Sequence, residues 1–63
     1  AIIAIECKWS ADQFDTANLK VFRRLYPNGS NLVVAQDVDE PFRRDYQGLK
    51  VDFVNLNGLI SAL

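Results

Sequence analysis

Glu6 and Lys8 stand two positions apart in the run Ala1 to Trp9 that opens the chain, and they are its only polar members. A strand has a side-chain period of two, so a carboxylate and an ammonium at this spacing project from the same side and can serve one site. Metal-assisted hydrolysis of a phosphodiester needs hard oxygen ligands around the ion, with a nearby cation to help activate water or offset charge on the phosphate. Glu6 offers carboxylate oxygens, the main-chain carbonyl of Cys7 offers another where a strand is irregular, and Lys8 offers the cation. Taken alone, an E-x-K triplet is most often a same-face ion pair at a strand end, worth about 0 to 1 kcal/mol when exposed.

Other candidates are weighed in the same way. Arg23-Arg24 and Arg43-Arg44 carry guanidinium groups, which suit phosphate geometry. The acidic neighbours Asp37, Asp39, Glu40 and Asp45 favour local neutralisation of these arginines. A net charge of −1 supplies no global attraction to nucleic acid, so any DNA contact must be local to the two arginine pairs. Asp37, at the end of a second apolar run, is a remote candidate to approach Lys8 with a further oxygen ligand; strand-end aspartates more commonly cap or turn the chain. Cys7 reads as a small core thiol, because the chain has no histidine to serve as its base. Trp9 reads as a core or interface aromatic.

The elements that must position these residues follow from periodicity. Ala1 to Trp9 is too short for a helix and rich in β-formers, so it is expected to be a strand. Its two faces are Ile3, Ile5, Cys7 and Trp9, wholly apolar, and Ile2, Ala4, Glu6 and Lys8, which changes from apolar to charged. A helix comes next, with two competing starts: Ser10 with Gln13 as a capping box, or Asp15 as a cap flanked by Phe14 and Leu19. The later start is favoured. Leu19, Phe22 and Leu25 or Tyr26 then share one side, with Lys20, Arg23 and Arg24 facing elsewhere. Pro27 and Asn28-Gly29 stop the helix.

Leu32 to Ala35 is a continuous apolar run, as expected of a parallel strand covered on both faces. Strand, helix and strand then make a βαβ unit, for which right-handedness is the rule. "DVDEPFRRDYQG" reads as a charged connection with room for a short extended piece at Phe42 to Tyr46. "LKVDFVNL", residues 49 to 56, alternates like a third strand nearer the sheet edge, with Leu49, Val51, Phe53 and Asn55 on one side. "NGLISAL" reads as a short helix packing Leu59, Ile60 and Leu63 on the sheet. The expected fold is thus α/β, with a mainly parallel three-stranded sheet, one crossover helix and a short C-terminal helix.

Sixty-three residues make one small domain, and a chain of this size buries only about 60% of the surface it exposes when unfolded. The single cysteine excludes an internal disulfide and a thiolate metal cage. No apolar run has the length to cross a bilayer, so no membrane role is expected and the expected setting is cytoplasmic. The chain opens on alanine and reads as strand from its second residue, which leads us to expect a partial domain cut from a longer protein.

Order and spacing of motifs add a resemblance. "IAIECKWS" at residues 3 to 10, "LKVF" at 19 to 22, "YP" at 26 and 27, "NLVVAQD" at 31 to 37 and "LKVDFVNLNGLISAL" at 49 to 63 span nearly the whole chain. In this order they resemble the C-terminal half of the PD-(D/E)xK, restriction-endonuclease-like domain found on many prokaryotic AAA-type ATPases. The resemblance implies a truncated βαβ(β)α fold, Glu6 as metal-binding carboxylate with the Cys7 carbonyl, Lys8 as catalytic or phosphate-facing lysine, and magnesium or manganese in a complete parent domain. The family's second metal ligand, an aspartate on a preceding strand, has no counterpart here, because only five residues precede Glu6. A P-loop G-x-x-x-x-G-K-S/T is also lacking.

The chain itself is therefore expected to be catalytically inactive, an interaction or oligomerisation module of a larger ATPase. The alternative is a part of an endonuclease site completed by an upstream aspartate. An unpaired first strand is expected to leave an edge and a sheet face open, and self-association to cover them.

Overall fold

In the computed structural model, which describes residues 2–62, the opening apolar run becomes strand β1 (Ala4–Lys8). Both candidate helix starts are used, for different helices. Ser10 and Gln13 form the capping box of a single 3-10 turn, Ala11–Gln13: the Ser10 hydroxyl accepts the Asp12 amide, and Gln13 Oε1 accepts the Ser10 amide at 3.2 Å. Phe14 then turns extended and places its ring 5.6 Å from Phe53 and 5.7 Å from Tyr46, which breaks the helical path. The α-helix proper, α1 (Ala17–Leu25), begins where the later start was favoured. Thr16 occupies the cap position, and Asp15 Oδ1 accepts the Ala17 amide at 2.7 Å.

After α1 the Pro27-Asn28-Gly29 turn leads into β2 (Asn31–Ala35), parallel to β1 in the register Ala4↔Asn31 to Lys8↔Ala35. Gly29 has φ 138°, and a Cβ there would lie 1.8 Å from the Ile2 carbonyl oxygen, so only glycine lets the turn seat the start of the chain. The hairpin β3 (Phe42–Tyr46) and β4 (Leu49–Val54) follows. Its two-residue loop, Gln47-Gly48, has positive φ at both positions, the twist that matches flanking antiparallel strands. Helix α2 (Leu56–Ala62) ends the described chain.

The sheet is four-stranded and mixed, in the order β1-β2-β4-β3, with β2 and β4 parallel and β3 and β4 antiparallel. This keeps the α/β class and corrects the expected three-stranded, mainly parallel sheet. The extended piece at Phe42 to Tyr46 is a full strand, and by pairing with β4 it makes that strand internal rather than peripheral.

The core lies on one face, where Leu19 of α1 meets Val33 and Ala35 of β2, Val51 and Phe53 of β4, and Val38 of the following loop. Phe53, almost wholly buried, stacks on Phe42 at 4.8 Å. On the opposite face α2 packs against β2 and β4. Gly58 permits that approach, since a Cβ would lie 2.9 Å from Val54 Cβ. Asn55, expected on the strand face, instead caps α2: its Oδ1 accepts the Gly58 amide at 2.8 Å and its Nδ2 donates to the Val38 carbonyl.

Three expected faces are corrected. In α1 the buried residues are Leu19 and Arg23, Phe22 is half-buried, and Leu25 and Tyr26 are exposed. In α2, Leu59 is half-buried and Ile60 exposed, while the expectation for Leu63 lies outside the described residues. In β1 the half-buried side is Ala4, Glu6 and Lys8, and the wholly apolar side faces outward. Among the described residues no helix is long and apolar enough to cross a membrane.

Candidate functional site

Glu6 and Lys8 project from β1 on the face that carries the core, because their register partners are Val33 and Ala35. They pair with each other, Lys8 Nζ to Glu6 Oε2 at 3.7 Å, with side chains 37% and 32% exposed. That distance is too long for a charge-assisted hydrogen bond and marks a loose, solvated ion pair. The two residues do share one side, as their spacing requires.

The oxygen donors of a divalent-metal site do not assemble around them. Asp37, the candidate ligand beyond β2, points instead at the chain entering the 3-10 turn: its carboxylate accepts the Ser10 hydroxyl at 2.8 Å and the Ala11 amide at 2.9 Å. The Ala11 amide first, and the Ser10 hydroxyl second, hold the Asp37 carboxyl below its usual pKa. Asp37 is thus a cap that clips the end of β1 to the end of β2. Among the described residues no group of three or more His, Cys, Asp or Glu comes together. Glu6 and the Cys7 carbonyl offer two oxygens on one strand, and the rest of a six-oxygen magnesium shell would have to come from water or from a further carboxylate.

Cys7 is exposed, which corrects its reading as a core thiol. It belongs to the outward side of β1, with Ile3 and Ile5 each about half exposed and Trp9 72% exposed. The physical reason lies in the layers: α1 and the 3-10 turn cover the Glu6 side, while α2, on the other side, packs over β2 and β4. An open groove of about 710 Å³ runs here between Trp9 and Leu56, floored by Cys7 and Val34. Val34 and Leu56 were not singled out in the sequence. A continuous apolar run gives no sign of which members stay half-covered.

The four arginines are not gathered into one patch. Arg23 is buried, and all five of its N–H bonds are taken: Asn31 Oδ1 at 2.7 Å and the carbonyls of Tyr26, Asn28, Ile2 and Ser30 at 2.7 to 2.9 Å. It has no donor left for a phosphate. Arg43 forms a two-point pair with its cross-strand partner Asp52, at 2.7 and 3.2 Å. Arg44, next along β3, projects to the opposite face and lies 5.2 Å over the Phe42 ring. Arg24 is exposed on α1.

β1 is the outermost strand of the sheet on its side, so one of its edges carries no neighbouring strand among the described residues. An uncovered edge is a row of main-chain donors and acceptors ready to pair with another strand. Here it borders the exposed Ile3, Ile5, Cys7 and Trp9 strip, so hydrogen-bonding capacity and apolar surface coincide at β1. Compared with known proteins, the chain matches no family model, no curated protein and no solved structure.

Proposed function

We propose that this chain is a non-catalytic binding module, an accessory domain of the nuclease-like kind carried by larger ATPases, which acts through the β1 edge and the apolar strip beside it. The observation that carries this reading is the coincidence of an unpaired strand edge with exposed Ile5 and Trp9. Edge strands of stable monomers are usually blunted by charge, proline or a covering loop. β1 has charges only on its core-side face, where Glu6 and Lys8 are turned toward each other. The outward side presents carbon and sulfur, with the Trp9 indole N–H as its one polar side-chain group.

Sedimentation velocity over a wide concentration range tests the proposal. Association that strengthens with concentration, in a chain shown by circular dichroism to be folded, supports it. A folded monomer at every concentration overturns it.

A second reading retains the Glu6 and Lys8 pair as part of a metal-dependent nuclease site. What favours it is placement: both side chains rise from the strand whose edge is open, so a strand added there would lie beside Glu6. The missing carboxylate would have to come from that strand. Calorimetric titration with magnesium or manganese separates the two readings. Heat that disappears in Glu6→Ala favours the metal site, whereas absence of binding, or binding unchanged by the substitution, removes a metal role for this chain by itself.

A further inference from the structure

We propose that the partner of the β1 edge is a second copy of this chain, paired antiparallel about a twofold axis beside Cys7, so that Glu6 of each copy faces the partner's Lys8. This rests on the reading that the β1 edge mediates association. Its content is the symmetry and the register of that association.

The main chain defines what the edge offers. The Ile2 and Ala4 amides donate inward, to the carbonyls of Asn28 at 3.3 Å and Ser30 at 2.9 Å, and the Ile2 carbonyl accepts from Arg23 at 2.8 Å. Along a strand, amide and carbonyl of one residue point to the same side and alternate from residue to residue. The groups of Ile3, Ile5 and Cys7 therefore point out of the sheet, toward the open edge.

An isologous pair puts the same patch of both copies together. With the axis normal to the sheet, like faces stay together, and residues directly opposite each other must agree in side-chain direction. Registers that pair at least three residues of β1 in each copy number three, centred on Ile5, Glu6 or Cys7. The Glu6-centred register sets two carboxylates directly opposite, which is unfavourable. The Ile5-centred register sets Glu6 against the partner's Ala4 and Lys8 against the partner's Ile2, leaving the charges without cross-strand partners.

The Cys7-centred register sets Glu6 against the partner's Lys8, and Lys8 against the partner's Glu6. These fall in the non-hydrogen-bonded pairs, where Cα atoms approach to about 4.5 Å and side chains are closest. The loose 3.7 Å pair within each copy thereby becomes part of a four-charge ladder of alternating sign. On the outward face the same register brings Ile5 toward the partner's Trp9, which lies in the bend one residue past the end of β1, twice, covering side chains that are 47% and 72% exposed in the single chain. A β-branched residue opposite an aromatic one is a favourable cross-strand pair. Charge complementarity and apolar cover thus select the same register, and the two sheets join into one of eight strands.

Charge reversal tests both parts. Glu6→Lys and Lys8→Glu are to be sedimented alone and as an equimolar mixture, with circular dichroism to confirm folding. Each reversal alone turns two attractive seam pairs into repulsive ones and is expected to weaken the dimer about tenfold or more. The mixture is expected to regain it, because every seam pair is again opposite in sign. A mixture that associates more tightly than the unaltered chain would indicate the Glu6-centred register, where only the mixed pair sets opposite charges face to face, and insensitivity of both reversals and of their mixture the Ile5-centred one. Either result overturns this proposal and leaves edge-mediated association standing. A folded monomer overturns both.

Should a reversal unfold the chain, Cys7 of the unaltered protein supplies the second measurement. Opposite hydrogen-bonded residues have Cα atoms about 5.5 Å apart, within the range a disulfide spans. Oxidation of the two thiols by diamide, which takes up the two electrons and two protons, is expected to give a covalent dimer in native buffer and none in denaturant. In the other registers the two Cys7 residues are not opposite each other. Failure to cross-link in an associated sample overturns the Cys7-centred register.

Discussion

Arg23 shows how far one side chain can depart from its type. An arginine in the last turn of an exposed helix ordinarily reaches water, yet this one is 9% exposed and is compensated by oxygen dipoles rather than by a carboxylate. Four carbonyls and one side-chain amide oxygen use its five donors, at the helix end where a positive charge is favoured. Asn31 extends the network by donating to the Lys50 carbonyl at 2.9 Å, so α1, the following turn, β2, β4 and the start of the chain are tied at one point. Arg23→Ala would leave these buried acceptors unpaired, at a cost on the order of 3–5 kcal/mol. Against the total of about 3–9 kcal/mol expected for this length, the loss is a large share, and urea unfolding followed by circular dichroism is expected to show a much lowered midpoint. Hydrophobic periodicity could not reveal this role, because it counts an arginine as an outward residue wherever it falls.

Asp37 makes a smaller contribution with a defined pH signature. Its carboxyl is held below the usual range by the Ala11 amide and then the Ser10 hydroxyl, so the folded state binds its proton less readily than the unfolded state. The stabilisation is complete above the ordinary aspartate value of about 3.9 and is lost as pH falls through that value toward the lowered one. Asp37→Asn is expected to lower the melting temperature at pH 6 and to converge with the unaltered chain in acid. Equal melting temperatures at pH 6 would remove the clip between β1 and β2.

At the scale of elements, what was legible depended on whether local chemistry or tertiary cover decided the outcome. Pro27, Asn28 and Gly29 mark the end of α1 by main-chain restriction alone, and the structure turns there. Gln47-Gly48 closes a tight hairpin with a non-glycine residue at φ 56°, and a glutamine in that position carries little signal, so Phe42 to Tyr46 reads as a short extended piece of a connection and not as a paired hairpin strand. The Asp45 carboxylate helps by accepting the Gly48 amide. The alternation in β1 identified two faces correctly. It did not say which would be covered, because that depends on where α1 and α2 settle.

The Gly29 turn yields the prediction for this scale. A methyl group at that position meets the Ile2 carbonyl oxygen, an acceptor already held by Arg23, and the backbone sits at φ 138°. Gly29→Ala is expected to cost roughly 2 kcal/mol or more from strain alone. Hydrogen exchange would show the loss concentrated at the β1 and β2 pairing rather than in the β3 and β4 hairpin. Uniform loss of protection would mean that the turn seats the whole fold and not the first strand alone.

For the whole molecule, the two sheet faces set what it can do. One is closed by Phe14, Leu19 and the 3-10 turn. The other is divided: β3 and β4 present cross-strand charged residues, Arg43 with Asp52 and Asp45 beside Lys50, while β1 presents Ile3, Ile5, Cys7 and Trp9. The ionic half is suited to water and the apolar half is not. The chain's one tryptophan lies in the apolar half and can report on its cover. In dilute solution Trp9 emission is expected at the long wavelength of hydrated indole. It should move to shorter wavelength with rising concentration, in step with the sedimentation coefficient. Trp9→Glu changes a side chain that is 72% exposed in the single chain, so its unfolding free energy is expected to stay within about 0.5 kcal/mol while association is lost. A constant emission maximum in a sample that associates would place the contact elsewhere. A loss of stability well beyond that figure in the dilute variant would mean that Trp9 serves the fold before it serves a partner.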